Sequence, residues 1–166
     1  MANVGFDEKW SFVFKKQEHC DPDDPADDHR GDWWDHVAFD PEHRLVVSVA
    51  AGARDSESTE AVVADFKRRT EGRIMNLMTS DTYPAYETAI LQAYGREVDV
   101  TASGRPSRRM VAQKLPPRES NYATVEKRRE KGRVVEILTH MVFGTMARRR
   151  SGSDIMGGGP SRAIGP

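Results

Sequence analysis

The chain has 166 residues, of which 31% are charged, with 25 Lys and Arg against 26 Asp and Glu. That length carries one α/β domain with a modest core and excludes two comfortable ones. Cys20 is the only cysteine, which excludes an intrachain disulfide and fits a reducing cytosol. No apolar run approaches a membrane span and no signal-peptide layout opens the chain, so a cytoplasmic protein without a membrane partner is expected.

The near-zero net charge hides a segregation of sign. Asp7 to Glu42 is crowded with acids, Asp21, Asp23, Asp24, Asp27, Asp28, Asp32, Asp35 and Asp40 among them. The later part is basic: Arg105, Arg108, Arg109, Lys114, Arg118, Lys127, Arg128, Arg129, Lys131 and Arg133, then Arg148-Arg149-Arg150. Such asymmetry points either to a nucleic-acid partner for the basic half or to a solvated surface with a basic tail.

Met1 to Phe6 reads as a ragged lead. Asp7 to Lys16 reads as a strand with Trp10, Phe12 and Phe14 on one side. Gln17 to Gly31 is a polar, acidic loop. His19, Cys20 and His29 lie there without paired zinc spacing, and no metal site is assigned to them. Asp32 to Phe39 and Arg44 to Ala51, joined by Asp40-Pro41-Glu42-His43, read as an antiparallel hairpin. Asp55 to Thr70 reads as a helix, capped by Asp55 or Ser56, with Glu57 and Glu60 near its start and Lys67-Arg68-Arg69 at its end. Its buried stripe is Val62, Val63 and Phe66, flanked by Thr59 and Thr70.

Ile74 to Met78 is a short uninterrupted apolar run, as expected of a central strand covered on both faces. Thr82-Tyr83-Pro84 then starts a helix to Tyr94, with Pro84 at its first position and Gly95 as its stop. Asp81 therefore falls at the carboxyl end of a central strand, where ligands collect in open α/β sheets. It reads either as a helix cap or as a functional acid. Glu97 to Ala102 reads as a short strand and Ser103 to Arg118 as a basic, proline-containing loop. Tyr122 to Lys127 and Arg133 to Leu138 form a second hairpin around Glu130-Lys131-Gly132, continuing toward Met141-Val142-Phe143. Met146 to Pro166 carries an arginine run and three consecutive glycines with no apolar period, and reads as a disordered tail after a domain of residues 1–145.

The order strand, strand, strand, helix, strand, helix is the layout of a ribonuclease H-like mixed sheet. In that layout the first and fourth strands are neighbours, so Asp7 and Asp81 would face one point. Three spaced blocks carry a resemblance: Asp7-Glu8-Lys9-Trp10-Ser11-Phe12-Val13, Gly31-Asp32-Trp33-Trp34-Asp35-His36-Val37-Ala38-Phe39-Asp40, and Thr79-Ser80-Asp81-Thr82-Tyr83-Pro84-Ala85-Tyr86. From about Asp7 to about Thr145 the chain resembles the catalytic domain of DDE-type insertion-sequence transposases, of the short insertion-sequence-one-like group.

The resemblance implies three carboxylates, two of Asp and one of Glu, holding two divalent ions, usually Mg2+. Hard oxygen ligands suit that ion. It implies in-line displacement at a DNA phosphate, by water in donor cleavage and by a 3′-hydroxyl in strand transfer. Asp7 matches the first Asp and Asp81 the second, both as catalytic residues and as metal ligands. The third acid does not carry over: Val125-Glu126-Lys127 resembles the family's Val-Glu-Arg block, but it lies in a β-hairpin ahead of the family's helix. Glu130 and Glu136 match no better. The resemblance thus makes the chain a C-terminally truncated transposase impaired by the loss of one carboxylate. Its implied partners are DNA, both insertion-sequence ends and target, with a homodimer compatible. Arg105, Arg108, Arg109, Lys114, Lys127, Arg128 and Arg129 are the candidate nucleic-acid-binding residues. Two other readings stand beside it: a non-catalytic DNA-binding remnant, and a poorly folded fragment.

Overall fold

A computed structural model describes residues 1–98 and 113–144. Strands β1 (Asn3–Val13), β2 (Gly31–Asp40) and β3 (Leu45–Gly52) form an antiparallel meander. Helix α1 (Ser56–Arg69) follows, then strand β4 (Leu77–Ser80), helix α2 (Ala85–Tyr94), and the short strands β5 (Arg96–Val98) and β6 (Gln113–Leu115). Strands β7 (Tyr122–Glu130) and β8 (Arg133–Phe143) complete the order. Six strands make one mixed sheet in the order β3-β2-β1-β4-β7-β8, while β5 and β6 pair separately. Strands β1, β4 and β7 run parallel to one another.

The helices form where their local chemistry places them. Asp55 caps α1, its carboxylate accepting the Ser58 N–H at 2.8 Å, and Lys67, Arg68 and Arg69 occupy the last turn. Thr59, Val62, Val63 and Phe66 are the buried stripe. The even residues of β1, Val4 and Phe6, meet that stripe together with Ala38, Met78 and Tyr122 from neighbouring strands. The Phe6 ring stands edge-on to Phe66 at 5.5 Å and lies 5.7 Å from Tyr86 of α2. The opposite face of the sheet is open at β3, where Val46 and Val49 are exposed. On that face Phe39 lies over Gly5, against the space a side chain at residue 5 would fill.

Several boundaries differ from those the sequence suggests. Asn3 to Phe6 is strand and core rather than a ragged lead, so Asp7 stands within β1 and not at its start. Trp10, Phe12 and Phe14 are exposed, because β1 runs past its parallel partner there; Phe14, at φ 64°, has already left the strand. Strand β4 begins at Leu77 rather than Ile74, and it alternates half-buried and buried residues instead of being covered on both faces. Pro84 is the N-cap of α2 and Ala85 its first residue. The stretch expected to be loop up to Arg118 contains β6, which pairs with β5. Arg105, Arg108 and Arg109, and the expected tail from Met146, lie outside the described residues. Among the described residues no helix is long and apolar enough to cross a membrane.

The acidic loop is ordered around one buried carboxylate. Asp27 accepts Lys15 Nζ at 2.6 Å, the Asp21 N–H at 2.8 Å and Arg30 Nη1 at 3.0 Å. The Lys15 ammonium, then the Asp21 amide, hold its carboxyl down at about 2.

Candidate functional site

The parallel pairing of β1 with β4 matches Asn3 to Leu77, Val4 to Met78 and Gly5 to Thr79. Two residues beyond the last pair on each chain segment come Asp7 and Asp81. The period of two keeps Asp7 on the face of Gly5. Both acids line one cavity of about 460 Å³, together with Gly5, Phe39, Thr79, Val125, Glu126, Lys127 and Arg129. The register between β4 and β7 (Thr79 opposite Ala123) puts Val125, Lys127 and Arg129 on the same face. The two acids expected to converge are thus brought into one cavity, and two of the candidate cations join them.

Asp7 is exposed, and its Oδ1 accepts the Glu8 N–H at 2.9 Å. Asp81 does serve the start of α2, its Oδ1 accepting the Tyr83 N–H at 2.9 Å. Its Oδ2 lies 3.8 Å from Arg54 Nη2, and the residue also lines the cavity. The capping and the functional reading of Asp81 therefore use different oxygens.

A buried ion pair, not anticipated from the sequence, lies behind these two acids. Glu8 points to the helix side of β1, where its side chain is 2% exposed. Its Oε1 accepts Arg54 Nε at 3.0 Å and Nη2 at 2.8 Å. The guanidinium sits between the Trp34 and Tyr83 rings, at 4.9 and 4.7 Å. Glu8 holds the Arg54 proton more tightly still, raising its pKa against the cost of burial. Burial, then the charge of Glu8, pushes the Tyr86 phenol well above its ordinary range. Beneath β4, Tyr122 and Ser80 share a 2.7 Å hydrogen bond, and burial pushes the Tyr122 phenol up to about 12. The signal for Glu8 was in the sequence: with Val4 and Phe6 inside, strand alternation puts residue 8 inside too.

Of the remaining candidates, Arg128 and Lys114 are engaged elsewhere, while Glu126 borders the cavity. Arg128 Nη1 is bonded to Glu136 at 2.9 Å, and Lys114 on β6 donates to the Gln92 carbonyl at 2.9 Å. Glu126 lies 3.7 Å from His140 Nε2. His19 pairs with Glu18, and Cys20 donates to the Lys16 carbonyl. One further group of potential ligands, Asp40, Glu42 and His43, has its ligand atoms within 4.8 Å of one another. There Asp40 accepts the Glu42 and His43 N–H groups and His43 Nδ1, so the cluster is a hydrogen-bonded turn between β2 and β3. Burial raises the Asp40 carboxyl, and the bonds from His43 and Glu42 outweigh it, leaving the group below its ordinary value.

Compared with family models, curated proteins and solved structures, the chain matches none.

Proposed function

We propose that the chain is a DDE-type transposase catalytic unit of ribonuclease H-like fold, a metal-dependent enzyme of DNA strand cleavage and strand transfer. One observation carries the reading: Asp7 and Asp81, from distant parts of the chain, line the same cavity, and Lys127 and Arg129 line it with them. The sheet order β3-β2-β1-β4-β7, with β1, β4 and β7 parallel, supports it as well.

The donor set fits a hard divalent ion. Asp7 is exposed and Asp81 is partly so, both offer carboxylate oxygens, and the cavity is open enough for an ion that keeps most of its water. When bound, Mg2+ would activate the attacking oxygen and stabilise charge on the leaving one. Asp7 and Asp81 Oδ2 would hold it, and Lys127 and Arg129 would offer positive charge to DNA phosphates at the cavity rim. The Tyr83 N–H fixes the orientation of Asp81 through its other oxygen. Glu126 borders the same cavity, but alternation along β7 sets its side chain on the opposite face from Lys127, so two carboxylates rather than three face the ion and slow turnover is expected.

The test has two readouts. Mn2+, standing in for Mg2+, should broaden the NMR amide signals of Gly5 to Lys9 and Thr79 to Thr82 selectively. Mg2+-dependent nicking of supercoiled DNA should fall to the EDTA background in Asp81→Ala and Asp7→Ala. Unselective broadening, or nicking that survives both substitutions, would sink the metal site.

The second reading is a DNA-binding protein that does not cut. It is favoured by the Arg54 guanidinium 3.8 Å from Asp81 Oδ2, a resident positive charge beside the place a metal would occupy. Binding that falls with salt and is indifferent to Asp81→Ala, with no nicking, would select it.

A further inference from the structure

Strand β7 pairs with β4 only at Tyr122, Ala123 and Thr124. Beyond Thr124 its one strand partner among the described residues is β8. Residues 125–130 and 133–139 therefore leave the sheet as a two-stranded ribbon, about 20 Å long at ~3.3 Å per residue. Lys131 and Gly132 close it, with φ 48° and 78°. Two successive positive φ values are those of a primed hairpin turn, whose twist matches the strands it joins.

The two faces of this ribbon differ in charge. Cross-strand partners share a face, so Glu126, Leu138, Arg128, Glu136, Glu130 and Arg133 stand together. That face mixes acids with its cations: Arg128 is bonded to Glu136, Glu126 lies beside His140, and Glu130 stands opposite Arg133. The other face carries Lys127 opposite Ile137 and Arg129 opposite Val134, two cations and no acid. Neither Lys127 nor Arg129 has an acidic partner among the described residues. Ile137, 63% exposed, stands opposite Lys127 and supplies apolar surface beside the two cations. The extra residues of the ribbon fall on β8, so the alternation along β7 is unbroken from Ala123 to Arg129. The cationic face is thus continuous with the cavity that holds Asp7 and Asp81.

We infer that this ribbon is a duplex-DNA arm which binds through its Lys127–Arg129–Ile137 face and not through its Arg128–Arg133 face. The inference rests on the DNA reading above and names which surface meets the duplex. A two-stranded ribbon is one of the two elements that the major groove, about 12 Å wide, admits. Lys127 and Arg129 would take phosphates at its edge, and Ile137 would meet sugar or thymine methyl groups. A duplex held so would run from the ribbon tip down to the acids, which sets the phosphodiester presented to them.

The experiment is titration of a labelled duplex with the full chain in EDTA, followed by fluorescence anisotropy at several salt concentrations. No metal chemistry enters, so its failure and that of the nicking test are separable. Lys127→Gln with Arg129→Gln should weaken binding about tenfold or more and reduce the slope of log K against log salt by about 2. Lys127→Arg with Arg129→Lys, which keeps both charges, should restore it. Arg128→Gln with Glu136→Gln, which leaves net charge unchanged, should bind as the parent does. Thermal unfolding at the parent temperature would show that each variant is folded. Unchanged binding by the Lys127/Arg129 pair would overturn the inference, as would equal loss in the Arg128/Glu136 pair. Competition by polyglutamate as effective as that by duplex at equal charge would overturn it too.

Discussion

Replacing Arg54 by alanine should destabilise the fold by about 3 kcal/mol, and nearly all of that loss should vanish when Glu8 is neutral. Glu8 is 2% exposed and has a single cationic partner among the described residues, which gives its Oε1 two hydrogen bonds at 3.0 and 2.8 Å. A buried carboxylate stripped of its cation is penalised by roughly 3–5 kcal/mol. Arg54 itself is 42% exposed, so water enters the vacated space and the lower end of that range applies. For a chain of this size such a loss lowers Tm by about 6–12 °C. Urea unfolding of the parent, Arg54→Ala, Glu8→Gln and the double variant, followed by circular dichroism, closes a thermodynamic cycle. A coupling above about 1 kcal/mol is expected for groups in direct contact. Additivity within about 0.5 kcal/mol would refute the assignment of Arg54 as the counter-charge of Glu8.

Asp27 ties the acidic loop to Lys15 and Arg30, and its carboxyl is held at about 2 against an ordinary 3.8. A lowered carboxyl stabilises above its unfolded value and loses that contribution as pH falls through its folded one, so the loop should loosen between pH 4 and pH 2. The Asp27 carboxyl signal, followed by NMR, should titrate near 2; a midpoint near 4 would contradict the buried ion pair. Asp27→Asn should show the loosened loop already at neutral pH. Phe66 is fully buried against Phe6, and Phe66→Ala should cost about 3–5 kcal/mol in urea unfolding. A loss under about 1 kcal/mol would mean that the α1 stripe is not the core of the domain.

How much was legible from the residues depended on the range of the forces involved. Helix α1 was legible nearly to the residue, because the Asp55 cap, the terminal charges and the stripe at Thr59, Val62, Val63 and Phe66 are all local signals. The β7–β8 hairpin was legible for the same reason: its turn residues announce it. Strand β4 was misplaced by three residues because Ile74 to Met78 is apolar throughout, and only the hydrogen bonds to β1 and β7 decide where the ladder begins. The parallel seat of β7 beside β4 was not legible at all, since nothing in Tyr122 to Thr124 names a partner so distant in sequence. The same limit hid the contact between Glu8 and Arg54. Asp7 and Asp81 were expected to converge and do line one cavity, but the parity of β1 was set by Val4 and Phe6, read as lead rather than strand. With Val4 and Phe6 read as strand, the period of two separates the acid facing the cavity from the acid facing the core.

Strand β4 has four residues, and three matched pairs fasten each of its sides. Through those few rungs it joins the meander on one flank to the ribbon's root on the other, and it delivers Asp81 at its tip. Loss of this short staple would scatter acid pair and arm in a single event. Amide exchange at Met78 and Thr79 therefore reports the same opening free energy as exchange at Ala123. The most slowly exchanging protons of the molecule should gather on its smallest central segment, and the lifetime of the assembled cavity should be the lifetime of those rungs.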